Sequence, residues 1–187
     1  MYYLSKGLSQ EGSTELLLNI SRGRYTFRLT GTEAGLWQDG RYEIARAGLP
    51  DRVAALRHLE RMGLVTIMDH YTLDDLYNAL NSCVFCTVEA RGIRRPVGGR
   101  GMRLLCWLRE SGLHLTLAEL IYLEEKGNQP WAMLLREENR QTLTEQIYDA
   151  ATIRNGELEK KMLHARCRDV VLEAILELIK TKRIILL

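Results

Sequence analysis

The sequence predicts an α+β fold, mainly helical, built from two halves that share one order of elements. Three observations carry this. The first is a repeated Leu-Thr-x-x-Glu: Leu29-Thr30 with Glu33, and Leu115-Thr116 with Glu119. Each precedes an apolar helical run. In such a box the Thr oxygen accepts from a free backbone N–H and the Glu reaches back to the cap. The second is a repeated ending, in which an amphipathic helix breaks and a run of β-formers follows. Leu56, Leu59 and Met62 recur at helical spacing, Gly63 stops them, and Leu64 to Ile67 reads as a strand. Val170 to Ile179, a basic break and Ile184 to Leu187 repeat that pattern. The third is "ARGIRRPVGGRGMR", Ala90 to Arg103, which separates the two halves with five arginines, four glycines and a proline.

The elements follow in order. Residues 15–21 and 24–30 read as a hairpin turning at Arg22-Gly23. A capped helix starts after Thr30, and a longer one starts near Asp51. After the strand ending at Ile67, Thr72 caps another helix, with Leu73, Leu76, Tyr77 and Leu80 on one face. "CVFCTVEA", Cys83 to Ala90, is the expected return strand of the first half. The expected domains are therefore 1–90, a basic Gly/Arg linker at 91–103, and 104–187. The second half is atypical. Thr30 to Leu59 spans 29 residues and Thr116 to Leu178 spans 62, which implies an insertion of about 33 residues.

The chain has 187 residues, 46% of them hydrophobic, enough for a real core and too many for a disordered chain. Net charge is +2, unevenly spread: residues 1–104 hold 14 Lys/Arg against 11 Asp/Glu, and residues 105–187 hold 12 against 13. The basic excess sits in the Gly/Arg stretch, which permits contact with nucleic acid. The N-terminal residues lack a basic and an apolar leader region, and no apolar run approaches membrane-spanning length. The expectation is a cytoplasmic protein without a membrane partner.

This order of elements, and the "LERMGLV" ending in particular, resembles the winged-helix fold over about two-thirds of the chain. Two departures stand out. A helix intervenes before the return strand of the first half, and the second half ends on its strand. The resemblance implies a DNA-binding transcription regulator that reads duplex DNA through the third helix of the fold. Arg52, Arg57, His58 and Arg61 are the outward residues of that helix in the first half. An ordinary charged helix face is the competing reading of the same residues. Arg91, Arg94, Arg95, Arg100 and Arg103 of the Gly/Arg stretch form either a solvated linker or an arm that orders on phosphates.

Cys83 and Cys86 form a C-x-x-C pair, but no second pair completes a tetrahedral zinc site, so buried structural thiols are expected. No catalytic signature is present, and neither enzyme activity nor a cofactor is expected. Finally, Val171, Leu172, Ile175, Leu178 and Ile179 belong to a helix that is apolar almost all round. Either another part of the chain covers its second side or another chain does, and a homodimer through these five residues is the expectation. That surface also supports an alternative function, a non-enzymatic interaction and dimerisation adaptor on the same fold.

Overall fold

The computed structural model describes residues 1–10, 17–88, 98–110, 115–127 and 156–187. The fold is α+β, with seven helices and three small antiparallel sheets among the described residues. In the first sheet β1 (Tyr2–Ser5) lies between β5 (Ala45–Arg46) and β6 (Val65–Met68). The second sheet holds β2 (Leu8–Ser9), β3 (Leu17–Arg22) and β4 (Tyr25–Thr30). The third places β7 (Val84–Thr87) between β8 (Leu115–Thr116) and β9 (Ile184–Leu186). The expected hairpin is β3–β4. Arg22 pairs with Tyr25, so Gly23 and Arg24 form a two-residue turn, and Gly23 supplies the positive φ of 59°.

The helices are α1 (Gly31–Asp39), α2 (Pro50–Arg61), α3 (Leu73–Asn81), α4 (Gly99–Glu110), α5 (Leu117–Glu125), α6 (Glu157–Met162) and α7 (Arg168–Lys180). Their caps follow the sequence only in part. Thr116 and Glu119 make the full capping box of α5, and Thr72 Oγ1 accepts from Asp75 N at 3.1 Å to cap α3. Thr30 makes no side-chain cap, and the Glu33 carboxylate turns to His58 of α2 instead of back to the cap. The expected box at α1 is thus corrected: a tertiary hydrogen bond with the His58 ring has taken its carboxylate.

The two halves share a corner in detail. α2 ends with Gly63 N donating to Glu60 O and Leu64 N to Leu59 O, and Gly63 has φ 73°. α7 ends with Lys182 N donating to Ile179 O and Arg183 N to Leu178 O, and Lys182 has φ 57°. Both are left-handed helix stops that turn the chain into a strand. In both sheets that strand flanks one side of the middle strand and a two-residue strand flanks the other. Tyr3 pairs with Ala45 and Ile67, as Phe85 pairs with Leu115 and Leu186.

The middle strand comes before the helices in each case, which corrects one expectation. The strand expected over Cys83 to Ala90 forms at Val84–Thr87 and does not return to the first half. β7 pairs with β8 and β9 instead of β6, and α3 packs with the helices that follow it. The reason is packing. Leu76, Tyr77, Leu80 and Phe85 share a core with Trp107, Leu120 and Ile175, whereas the first core, around Trp37, Leu56 and Leu59, is filled by β1, the hairpin, α1 and α2. The linker expectation is also corrected over 99–103, which is the first turn and more of α4. Residues 91–97 lie outside the described residues.

The two cores meet at the first sheet. Along β1, Tyr3 is buried in the first core and Leu4 in the second. β6 alternates likewise, with Val65 in the first core and Met68 in the second. Thr66 Oγ1 donates to Ala79 O of α3 at 3.2 Å, and Gly7 N donates to Leu186 O of β9 at 2.8 Å.

Three outcomes follow from this packing. Leu4→Ala should cost about 2–5 kcal/mol, and urea curves reported by Trp37 alone and by Trp107 alone should shift together. A shift in only one would mean that the cores unfold independently. Gly63→Ala should destabilise by about 1–2 kcal/mol, since its φ is left-handed, while Lys182→Gly at the matching position should be neutral or stabilising by thermal melt. Burial, reinforced by Asp39 at Tyr3 and by Glu159 at Tyr77, pushes these two phenols up to about 12 from 10.0. Their neutral forms favour the fold, so that stability is full below pH 10 and is lost as pH rises through 12. Tyr77→Phe should flatten the fall in stability over this window, although it removes the bond from Tyr77 Oη to Glu159 O.

Candidate nucleic-acid interface

The cations of α2 are turned to structural use. Arg52 pairs with Asp39 at the end of α1, Arg57 Nη1 donates to Glu60 Oε2 at 2.8 Å, and His58 pairs with Glu33. Two of these three pairs tie α2 to α1, which packs beside it with Leu36 and Trp37 buried. Each pair is partly exposed and contributes little stability alone, but the two arginine pairs also offset charge that the sequence left available for phosphate. Arg61 is exposed and has no carboxylate partner among the described residues.

Arg100 and Arg103 have a different task. Both grip Glu124 of α5, Arg100 Nε at 2.9 Å and Arg103 through two nitrogens. Burial alone would push the Glu124 carboxyl up; hydrogen bonds and charge from Arg103 and Arg100 more than reverse this and hold it below its usual range. The two arginines thus fasten α4 to α5. Arg91, Arg94 and Arg95 lie outside the described residues.

A basic surface does exist, on the β3–β4 hairpin. Arg24 and Arg28 are exposed and Arg22 is half-buried. None of the three pairs with a carboxylate among the described residues. Arg22 lies against the α2–β6 corner: a methyl group added at Gly63 would stand 1.9 Å from its Nη1. The guanidinium of Arg24 covers the Tyr25 ring at 5.2 Å, and Tyr25 is 57% exposed. An open cleft of about 630 Å³ runs from Arg22, Arg24 and Tyr25 to Ser82, Val84 and Leu187. Lys6 adds charge close by. It is buried, and burial, opposed by Cys83 and reinforced by Arg22, holds its ammonium below the usual lysine range.

Sequence reasoning located this hairpin but not its charge. The signal was available in "SRGRYTFR", where arginines flank a turn glycine and an aromatic follows. Strand alternation puts Tyr25, Phe27 and Leu29 on one side and Thr26 and Arg28 on the other. That arrangement sets the Arg28 guanidinium on the solvent side of the strand and the exposed Tyr25 ring, with Arg24 over it, at the turn.

The remaining candidates resolve as packing. Val171, Leu172, Ile175, Leu178 and Ile179 are at most 1% exposed within one chain. Within the chain α3, α4 and α5 cover them. Cys83 is buried with its Sγ donating to Ala79 O at 3.4 Å, and Cys86 is partly buried on β7. Burial raises both thiols above their usual range. Among the described residues no group of three or more His, Cys, Asp or Glu is placed to hold a metal ion, and no helix is long and apolar enough to cross a membrane. Comparison with family models, curated proteins and solved structures finds no match.

Proposed function

We propose that the protein is a non-enzymatic, DNA-binding regulatory protein that grips the duplex backbone with its β3–β4 hairpin and the end of α2. The observation that carries this reading is the division among the arginines. Those of α2, α4 and α7 that the fold needs are paired, at Arg52, Arg57, Arg100, Arg103 and Arg168. Among the described residues Arg22, Arg24 and Arg28 of the hairpin have no carboxylate partner, and Arg61 ends the helix that the hairpin touches. Unpaired guanidinium groups on a ribbon suit phosphate contact, which supplies affinity without base reading.

The winged-helix resemblance supports the same reading at the level of fold. The first half runs α1, β5, α2 and β6; the second runs α4, β8, then α5, α6 and α7, and β9; each half's sheet closes with β1 or β7 in the middle. In this chain the closing strand precedes the helices instead of returning after the last strand. The role of wing would then pass to the β3–β4 hairpin. The adaptor reading draws little support from α7, where Val171, Leu172, Ile175, Leu178 and Ile179 are covered within the chain.

The test is fluorescence polarisation with a random-sequence duplex across a series of salt concentrations. Binding should weaken as salt rises, and Arg24→Glu combined with Arg28→Glu should make the log–log salt slope shallower by about 2. Arg52→Ala should change the slope far less. No binding at low salt, or an unchanged slope in the double variant, would overturn the proposal.

A further inference from the structure

We propose that the cleft between the two halves is a binding site for a small aromatic carboxylate. The cleft encloses about 310 Å³, at the lower end of the range for small-molecule sites and suited to one ring with a short side chain. Its apolar lining comes from both halves: Leu4 of β1 and Ile44 from the first, Leu176 and Ile179 of α7 from the second. Tyrosines supply the rest. Tyr71, 60% exposed, is held against Tyr2 with ring centroids 5.6 Å apart and planes at 43°. A large aromatic ring left this open at the mouth of an apolar cleft offers a face on which a planar ligand can pack.

Charge selects the ligand's sign. Lys180 lines the cleft. Arg46 stands over the Tyr2 ring at 5.9 Å, Lys182 over Tyr42 at 5.0 Å, and Arg41 over Tyr42 at 5.0 Å and Trp37 at 4.9 Å. Arg41 Nε is buried without a hydrogen-bond partner. In the lining itself Lys180 is matched by one carboxylate, Glu43; the other three cations stand behind it, on the lining rings of Tyr2 and Tyr42. Among the described residues none of the four pairs with a carboxylate, in contrast to Arg52, Arg57, Arg100 and Arg103. Cations set on the rings that line the cleft make its surroundings positive, and with apolar and aromatic walls this matches a ring that carries an anionic group. The hairpin arginines take no part, so this site stands or falls separately from DNA binding.

The test is calorimetric titration of the full chain with 4-hydroxyphenylacetate, its neutral amide, acetate and adenosine monophosphate. The carboxylate should bind about tenfold more tightly than the amide, a difference of about 1.4 kcal/mol, and acetate should not bind. Lys180→Met, at an exposed position, should remove most of that preference while leaving the amide's affinity unchanged. Tyr71→Ala should weaken the acid and the amide alike. Equal affinity for acid and amide, no binding of either at millimolar concentration, no effect of Lys180→Met, or tighter binding of the nucleotide than of the aryl carboxylate would each overturn the proposal.

Discussion

The structure depends on a four-residue strand with a core on either side. Tyr3 and Leu4 are neighbours in sequence, yet strand alternation sends one into the core around Trp37 and the other into the core around Trp107. The first sheet is therefore an interior wall and not the outer face of a separate unit. This explains why so short a strand is almost wholly buried from Tyr3 to Ser5, and why Thr66 in β6 turns its hydroxyl to α3 instead of to water. A polar side chain buried in such a wall needs a partner within the fold. The cleft lined by Leu4 and Ile179 opens beside the same wall.

Charge in this protein divides into two classes. One class holds elements together: Glu124 draws in Arg100 and Arg103, and Arg168 links α7 to Asp74 at the start of α3. The other class is cations set on rings or projecting into solvent, such as Arg24 on Tyr25 and Lys182 on Tyr42. A near-neutral chain can thus present locally positive surfaces where carboxylates such as Glu124 and Asp39 are taken up in pairs between elements. Net charge alone hides this, and only the pairing shows which cations remain available.

The sequence was most legible where the physics is local. The Gly63 stop and its following strand, the Thr72 cap, the Thr116 box and the turn at Arg22-Gly23 each depend on a few adjacent residues, and each forms. Legibility ended where an element's partner is distant. The pattern of β7 says that it is a strand, but nothing in Val84 to Thr87 says that Ile184 to Leu186 will lie beside it. Glu33 had a local use as a cap and a tertiary use with His58, and the second won. The apolar girth of α7 measured how much covering it needed without saying what supplied it. Arg52 and Arg57 looked available because the packing of α2 on α1 is invisible in either helix alone. The hairpin arginines were readable as charge, but their lack of partners was not.

Placing the middle strand ahead of its helices also has a consequence during synthesis. Phe85 is made about a hundred residues before Leu186, its partner on one side. At roughly 5–20 residues per second, β7 emerges from the ribosome several seconds before that edge can be closed. Through that interval Phe85 and the apolar face of α3 have no completed core to enter. The first sheet has a much shorter wait, since Met68 follows Tyr2 by fewer than seventy residues. The nascent chain can therefore complete β5-β1-β6 early, and its exposed second face, bearing Leu4 and Met68, is then a prebuilt surface on which the later helices assemble.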